Sequence, residues 1–348
     1  MNLTNDHATS PQPPFKRWVF LMIAIVLGGV VIYFATVPKP PAHAEKVVIN
    51  QAAKTLLYLP LYIAQQQGFF KAEGIEVSIV TGGGDSQAFA AVLSGSADMG
   101  QGDPMMVPIS RQRGGPGKIV GNIVGKVAFW GVATDPKIEM ISDPKGFSGK
   151  RVVTYPRPMT IHALQLRNLK VANLTPGKDS TIVQAQFGAE LAPLFSGDAD
   201  ISMTIEPVVS QALARGAHIV YSFPEHYGEF ALTGLMIKDE AIQNGSKRLQ
   251  HILNAYQRAL TFAHQNPDAA VDIATKEFPD IDRTVIQSAV RRMLEEETIP
   301  RSVVVSLQSY QQAVQVRRDV GDLEREVPFS EAVDNRFAEE AARLYGGK

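Results

Sequence analysis

The chain has 348 residues, of which 45% are hydrophobic and 20% are charged, and its formal net charge is −1 at pH 7. This length leaves room for more than one domain, and the lack of a basic excess argues against nucleic acid as a partner. Cysteine is absent, which excludes disulfides, thiolate metal sites, cysteine nucleophiles and a lipidated N-terminal cysteine.

The first 44 residues have the pattern of an export signal. Lys16 and Arg17 precede an uncharged apolar run over 18–35, and Ala42 and Ala44 form a small-x-small exit. The run is longer than the roughly 7–15 apolar residues of a cleaved signal and close to the ~20 that span a bilayer. Cleavage after Ala44 and retention as an inner-membrane anchor therefore stay open, and both place the rest of the chain in the periplasm or another extracytoplasmic space.

Strand and helix patterns alternate from residue 45 onward. In the first half, strands are predicted over 46–51, 75–81, 99–102 and 118–124. Helices are predicted over 60–74, from Asp85 or Ser86 to Ser94, and over 104–113. Such alternation is typical of a parallel sheet covered by helices.

The second half repeats this scheme. Its predicted strands are 151–155, 181–185, 201–205 and 217–222. Its predicted helices are 159–171, 189–196 and 207–215. A second parallel sheet of the same build is therefore expected.

Two extended segments, 129–134 and 230–238, are expected to cross between the halves, and residues 240–345 are predicted to be helical. We therefore predict an α/β fold with two lobes, each a mainly parallel sheet covered by helices. The predicted divisions are a signal peptide or hydrophobic anchor helix over 1–44, lobe 1 over 45–132 plus 232–348, and lobe 2 over 133–231.

An internal repeat supports the two lobes. Ser94-Gly95-Ser96-Ala97-Asp98 returns 102 residues later as Ser196-Gly197-Asp198-Ala199-Asp200. Each copy ends a helix at Ser-Gly, continues into a short strand and leads to an acid-proline pair, Asp103-Pro104 or Glu206-Pro207. The repeat predicts that the acid-proline pairs occupy equivalent places in the two lobes.

Open parallel sheets bind ligands beyond the carboxyl ends of their strands. This rule selects six loops, namely 53–59, 82–87, 101–104, 156–160, 186–189 and 204–207. The predicted ligand-binding residues are Lys54, Thr55, Tyr58, Gly84, Asp85, Ser86, Gln101, Asp103, Trp130, Pro158, Met159, Thr160, Thr204 and Glu206.

The chemistry of these loops leaves the ligand open. Free N–H groups at helix N-termini suit sulfonate, carboxylate or nitrate oxygens, whereas Asp85, Asp103 and Glu206 would receive an amine or a pyrimidine amino group. A taurine-like zwitterion satisfies both. Each carboxylate has an alternative role as a helix cap, which is its commonest use at a helix start. Tyr58, Tyr155 and Trp130 would stack on the ligand. The alternative is that Tyr58 and Tyr155 pack beside the loops and that Trp130 packs at the hinge.

Catalytic and cofactor sites are not predicted. Gly82-Gly83-Gly84 lacks the third glycine of a dinucleotide fingerprint, which would fall on Gln87, and no Gly-Lys-Ser/Thr phosphate loop is present. The seven histidines include no i, i+4 pair, so no zinc site is expected. Ser86 lacks the Gly-x-Ser-x-Gly turn of a serine nucleophile.

Three stretches, 59–75, 93–99 and 147–152, resemble the periplasmic solute-binding proteins of the nitrate, sulfonate and taurine ABC importers. That group also includes binders of thiamine-pyrimidine precursors and related yeast pyrimidine synthases. The resemblance covers roughly 46–300 and implies the type II periplasmic binding protein fold, whose two lobes close on a ligand and present it to a membrane permease. It also implies ligand contacts at 54–58, at 158–160 and at Glu206.

The resemblance therefore predicts a non-enzymatic, monomeric, extracytoplasmic substrate-binding component of an ABC importer for a nitrate-, sulfonate- or taurine-type solute. One alternative is a binder or biosynthetic enzyme of thiamine-pyrimidine precursors on the same fold. The enzyme is disfavoured because the yeast-type synthases carry a cysteine-rich motif, which this chain lacks. A further alternative, a membrane-anchored ligand sensor, depends on whether the apolar run over 18–35 is retained.

Overall fold

Two five-stranded sheets organise the chain in the computed structural model, which describes residues 44–157 and 159–347. The predicted signal peptide or anchor lies outside the described residues apart from Ala44, and the predicted site residue Pro158 also lies outside them. Within the described ranges, no helix combines the length and hydropathy needed to cross a bilayer.

The first sheet contains β1 (Glu45–Gln51), β2 (Ile75–Thr81), β3 (Met99–Gly102), β4 (Lys118–Lys126) and β10 (Glu229–Ile237). Its strand order is β2-β1-β3-β10-β4. β1 pairs in parallel with β2 and β3, whereas β10 is antiparallel to both β3 and β4. The strand that arrives from a distant part of the chain is therefore the reversed one.

The second sheet contains β5 (Trp130–Ala133), β6 (Arg151–Thr154), β7 (Thr181–Gln184), β8 (Ile201–Thr204) and β9 (His218–Ser222). Its strand order is β7-β6-β8-β5-β9. β6 is parallel to β7 and β8, and β5 is antiparallel to β8 and β9. Both sheets thus have the same order, with a reversed strand in the fourth position.

The helices of the first half are α1 (Leu59–Gln66), α2 (Phe69–Ala72), α3 (Asp85–Ser94) and α4 (Met106–Arg111). The helices around the second sheet are α5 (Thr160–Val171), α6 (Ala192–Ser196), α7 (Val208–Ala214) and α8 (Phe223–Tyr227). The C-terminal helices are α9 (Asp239–Asn244), α10 (Ser246–Gln265), α11 (Pro267–Glu277), α12 (Arg283–Glu295), α13 (Leu307–Asp319), α14 (Phe329–Ala332) and α15 (Arg336–Tyr345). The predicted α/β architecture with a helical C-terminal part is confirmed.

The sequence repeat corresponds to a structural repeat. Gly95 ends α3 with φ 81°, and Gly197 ends α6 with φ 82°. A side chain with a Cβ is strained in this left-handed region, so glycine is favoured at both helix ends. In each copy the chain then enters the central strand of its sheet, β3 or β8.

The two segments predicted to cross between the halves are the reversed strands themselves. Residues 129–134 contain β5 of the second sheet, and residues 230–238 contain most of β10 of the first sheet. The chain passes between the sheets at 127–129 and again through α8. All of β5 therefore belongs to the second sheet. The predicted lobe boundary between residues 132 and 133 lies within this strand. The lobe boundaries themselves stay a prediction.

Apolar side chains of both sheets and of the C-terminal helices form one continuous buried cluster. β4 is buried except at its two lysine ends, and β10 is buried except at Glu229. Strands buried on both faces have nearly continuous apolar sequences, which is why these segments are recognisable as strands. The C-terminal helices also contact the second half, since Arg292 of α12 reaches Glu206 and Arg167 of α5 reaches Asp319.

Candidate ligand-binding site

A cavity of about 540 Å³ opens at the carboxyl ends of the parallel strands. Each of the six loops that the strand-end rule selects contributes at least one lining residue. In the first half these loops follow β1, β2 and β3, and in the second half they follow β6, β7 and β8. The loops therefore converge on one cavity, as the strand-end rule predicts.

Nine of the fourteen predicted ligand-binding residues line this cavity. They are Lys54, Thr55, Tyr58, Gly84, Asp85, Ser86, Asp103, Met159 and Thr160. Tyr155, a candidate stacking residue from the sequence, also lines the cavity. Further apolar or aromatic surface comes from lining side chains that the prediction did not name individually. They are Leu57, Met106, Phe129, Phe187, Ile205 and Leu232.

Gln101 and Trp130 do not line the cavity. Gln101 lies on β3 with no exposed surface, and its side-chain oxygen accepts a hydrogen bond of 2.6 Å from the Tyr256 hydroxyl. Trp130 lies on β5, also fully buried, and its indole N–H donates to Glu296 at 3.0 Å. Side chains alternate between the faces of a strand, and both residues point into the core, where they pack and hydrogen-bond.

Thr204 and Glu206 are also absent from the cavity lining. Thr204 is buried, and its hydroxyl donates to Glu190 at 3.0 Å. The Glu206 carboxylate turns toward its own following helix, where it accepts hydrogen bonds from the Ser210 backbone and hydroxyl at 3.0 and 2.9 Å, and it pairs with Arg292 at 2.9 Å. Glu206 thus has the capping role predicted as the alternative from its place at a helix start, and its carboxylate does not line the cavity.

Asp85 is the first residue of α3, and one oxygen of its carboxylate is hydrogen-bonded within the protein. Its Oδ1 accepts a hydrogen bond of 2.8 Å from the backbone N–H of Asp103, whereas Oδ2 has no hydrogen-bond partner within 44–157 and 159–347. Gly102 allows this contact, because a Cβ there would lie 2.6 Å from Oδ1. Burial and the neighbouring Asp103 carboxylate raise the pKa of Asp85 to about 6, against the opposing effects of the Asp103 N–H and Arg317.

Asp103 forms a buried bridge that joins three parts of the chain. Its Oδ1 accepts from the Met105 backbone at 2.9 Å, and its Oδ2 accepts from the Thr160 hydroxyl and from the Arg317 guanidinium. Arg317 also donates to Thr160 at 2.9 Å and pairs with Asp322 at 2.9 Å. The residue after β3, the start of α5 and a C-terminal helix therefore meet at the cavity wall.

Aromatic rings form one side of the cavity. Phe129 and Tyr155 have ring centroids 6.3 Å apart, and Tyr155 and Phe187 have centroids 5.5 Å apart. The Tyr155 hydroxyl donates to Glu190 at 2.6 Å, which fixes the ring. Phe187 is 46% exposed, and an exposed aromatic ring at a cavity mouth is suited to contact with a ligand.

Comparison with known proteins identifies the family. A family model described as "NMT1/THI5 like" matches residues 57–270, a range that includes loops from both halves of the cavity. The chain belongs to the NMT1/THI5-like family.

Two curated relatives of this NMT1/THI5-like chain differ in how much of it they cover. "Putative binding protein YtlA" of Bacillus subtilis strain 168 is 24% identical over 334 residues, which is 93% of this chain and 98% of the relative. The 4-amino-5-hydroxymethyl-2-methylpyrimidine phosphate synthase of Uromyces fabae is 33% identical over 106 residues, only 30% of each chain. Similarity over the whole length is thus to a protein named for binding.

Solved structures show that this NMT1/THI5-like chain has the periplasmic binding protein fold. The aliphatic sulphonate binding protein SsuA of Escherichia coli superposes with a TM-score of 0.67 at 17% identity, covering 81% of this chain and 95% of that one. The nitrate-binding protein NrtA of Synechocystis PCC 6803 has a TM-score of 0.65 at 13% identity, covering 88% and 90%. The two-lobed fold class predicted from the sequence motifs is confirmed.

The site contains residues that the sequence did not identify. Arg317 lies on α13, 214 residues after its partner Asp103, and no local pattern marks it. Glu190 is fully buried beside Tyr155, and its second oxygen has no hydrogen-bond partner in the described chain. Phe187 lies inside the predicted loop 186–189, and an aromatic residue in a ligand-binding loop was the sequence feature that could have indicated a ligand contact there. Among the described residues, no group of three or more metal-ligating side chains comes together.

Substituting Asp85→Asn is expected to stabilise the unliganded NMT1/THI5-like protein. The amide oxygen keeps an acceptor for the Asp103 N–H, and the substitution removes a charge that burial disfavours. Because the folded-state pKa of about 6 exceeds the ordinary value of 3.8, the folded state binds more protons than the unfolded state between these pH values. The stability of the parent therefore falls as pH rises through this window.

The expected gain in unfolding free energy is about 2 kcal/mol above pH 7, allowing for partial solvation, and it vanishes near pH 4. Urea unfolding at pH 4, 6 and 8 measures it. The control is Asp280→Asn, which changes an exposed carboxylate of the same type and should leave stability unchanged. Equal stability of the Asp85→Asn variant and the parent at pH 8 would contradict the prediction.

Proposed function

We propose that this chain is the extracytoplasmic substrate-binding component of an ABC importer for a small organic nitrogen- or sulfur-containing solute. The observation that carries the proposal is the cavity at the carboxyl ends of both sheets, lined by residues on either side such as Tyr58 and Tyr155. A ligand held from both sides shifts an open-closed equilibrium toward the closed form. A permease then recognises the closed form.

The full-length similarity to a protein named for binding supports capture rather than catalysis. The structural relatives named for sulphonate and nitrate supply the first candidate solutes. A pyrimidine synthase is not favoured, since the match to such an enzyme covers 30% of the chain and the chain has no cysteine. In this proposal the protein acts as a monomer.

Native mass spectrometry of the full chain, purified from its own cells, tests the proposal. We expect the folded protein to carry a small molecule or to acquire one from a panel of sulfonates, nitrate, taurine and aminopyrimidines. Binding should raise the melting temperature by several degrees, because a ligand that binds only the folded state stabilises it. Small-angle scattering should show a smaller radius of gyration on binding.

Ser86→Trp provides a blocking variant, because Ser86 is exposed and lines the cavity. Ser94→Trp, at an exposed position near the other end of α3, is the matched control. The first variant should lose the ligand-induced shift and the second should keep it. If neither a co-purified molecule nor any member of the panel binds, or if both variants bind equally, the proposal fails.

A further inference from the structure

The charged groups of the cavity are mostly acidic. Among the described lining residues, the charged ones are Lys54, Asp85 and Asp103. The Lys54 side chain is 54% exposed, lies 3.7 Å from Glu277 and sits over the ring of Phe278. Its charge is thus partly neutralised at the rim, so the cavity interior presents carboxylates to a ligand.

The two carboxylates are not equivalent. Both oxygens of Asp103 already accept hydrogen bonds, and Arg317 compensates its charge. Asp85 has no ion pair among the described residues, and only its Oδ1 is hydrogen-bonded. The Oδ2 of Asp85 is therefore the unsatisfied charged acceptor of the cavity.

A second group beside Asp85 also lacks a partner. Tyr58 is only 4% exposed and lines the cavity, yet its hydroxyl has no hydrogen-bond partner in the described part of the chain. Burial raises the pKa of Tyr58 well above its usual value, and the nearby Asp85 carboxylate adds to this effect. Buried polar groups are normally hydrogen-bonded, so an unpartnered hydroxyl near a carboxylate with one free oxygen indicates a place for a ligand.

The N-terminus of α5 offers little to an oxyanion. It borders the cavity at Thr160, but the Thr160 hydroxyl is already donated to Asp103, whose carboxylate lies at that helix end. An anion there would face the Asp103 carboxylate at close range. A cation would instead be attracted by the Asp85 carboxylate and by the exposed ring of Phe187, because aromatic rings attract cations through their quadrupoles.

We propose that Asp85 binds a protonated nitrogen of the solute through its free carboxylate oxygen. The solute class is then an organic cation, a primary amine or an amidine, with a flat apolar body that packs on the exposed ring of Phe187. The Tyr58 hydroxyl supplies a second polar contact. This inference rests on the proposed function, since it names the class of solute that the same cavity takes.

Three probes of similar size test the charge preference: benzamidinium, benzyl alcohol and benzenesulfonate. Isothermal titration of the full chain at pH 7.5 should show benzamidinium binding at least tenfold more tightly than benzenesulfonate, with benzyl alcohol between them. Asp85→Asn should weaken benzamidinium binding at least tenfold and leave benzenesulfonate binding equal or stronger. Asp280→Asn, at the exposed control position, should change neither.

Binding of benzamidinium should also depend on pH, while the probe itself stays protonated. The groups that face Asp85 are Asp103 from the loop after β3, Arg317 from α13 and Tyr58 from the loop after β1. Since the pKa of Asp85 in the free protein is about 6, the affinity should be constant above pH 7 and fall about tenfold by pH 5. The Asp85→Asn variant should show no such fall.

The results separate this inference from the proposed function. Tighter binding of benzenesulfonate, an unchanged affinity in Asp85→Asn, or no binding of benzamidinium would overturn the role of Asp85. Binding of an anion instead would still support solute capture. Loss of the protonated-nitrogen contact in Asp85→Asn cannot come from misfolding if that variant is as stable as the parent by urea unfolding.

Discussion

Arg317→Met is expected to lower the unfolding free energy by about 3–5 kcal/mol, which is the usual cost of leaving a buried charge without its partner. Arg317 is 1% exposed and compensates the charge of Asp103, which is 5% exposed. Methionine fills a similar volume but donates no hydrogen bond, so the Asp103 carboxylate would remain buried beside Thr160 with its Oδ2 less satisfied. Urea unfolding at pH 7.5 measures the loss.

Arg318→Met is the matched control. Arg318 follows on the same helix, its side chain is 39% exposed, and it lies 3.7 Å from Glu326. Exposed pairs of this kind contribute little, so a change below about 0.5 kcal/mol is expected. The double variant Arg317→Met/Asp103→Asn should recover at least about 1 kcal/mol relative to the sum of the single changes, because the two side chains interact directly. Additive losses would show that the buried pair does not act as a unit.

Arg317 also connects the two walls of the cavity. Asp103 follows β3 of the first sheet, Thr160 begins α5 beside the second sheet, and Arg317 donates to both. A second pair, Arg167 with Asp319 at 2.8 Å, joins α5 to the end of α13. In this structure α13 thus bridges the two walls of the cavity, and Arg317 orients Asp103 and Thr160 without lining the large cavity itself.

The fold was predictable because its main features depend on local patterns. The alternation of strands and helices, the Ser-Gly helix ends at Gly95 and Gly197, and the extended segments over 129–134 and 230–238 all follow from short stretches of sequence, whereas the reversed direction of these two strands does not. The convergence of six loops follows from a general property of parallel sheets. The strand order is the same in both sheets, and the sequence repeat leads into the central strand of each.

The roles of individual side chains were less predictable for a physical reason. A residue of β3 or β5 contacts either the cavity or the core, depending on the face of the strand that it occupies. A shift of one residue along the strand moves the side chain to the opposite face. Gln101 and Trp130 face the core. The contact between Arg317 and Asp103 depends on packing between segments more than two hundred residues apart in the sequence. No sequence pattern near either residue therefore indicates this pair.

Glu206 shows how two copies of one motif acquire different roles. After β3, Asp103 faces the cavity and bonds across it to Thr160. After β8, the side chain of Glu206 has one more methylene, and its carboxylate lies against Ser210 of α7 and Arg292 of α12. The same acid-proline pattern therefore gives a cavity residue in the first half and a buried contact between α7 and α12 in the second half.

Glu206→Ala is accordingly expected to reduce stability and to leave solute affinity nearly unchanged. The loss in unfolding free energy should be about 2–3 kcal/mol, since Arg292 and the Ser210 N–H and hydroxyl lose their acceptor. Arg292 keeps some compensation, because its side chain is 21% exposed and lies 3.9 Å from Glu296. For a chain of this size the melting temperature should fall by about 3–5 °C.

The control for Glu206→Ala is Glu225→Ala, which removes an exposed glutamate in the second half and should change the melting temperature by less than about 1 °C. Affinity is measured at a temperature where both variants are fully folded, with benzamidinium as the probe. A tenfold loss of affinity in Glu206→Ala without a loss of stability would restore Glu206 as a ligand contact. Destabilisation with unchanged affinity assigns its carboxylate to the α7–α12 contact, since only a structural acceptor affects folding without affecting the bound solute.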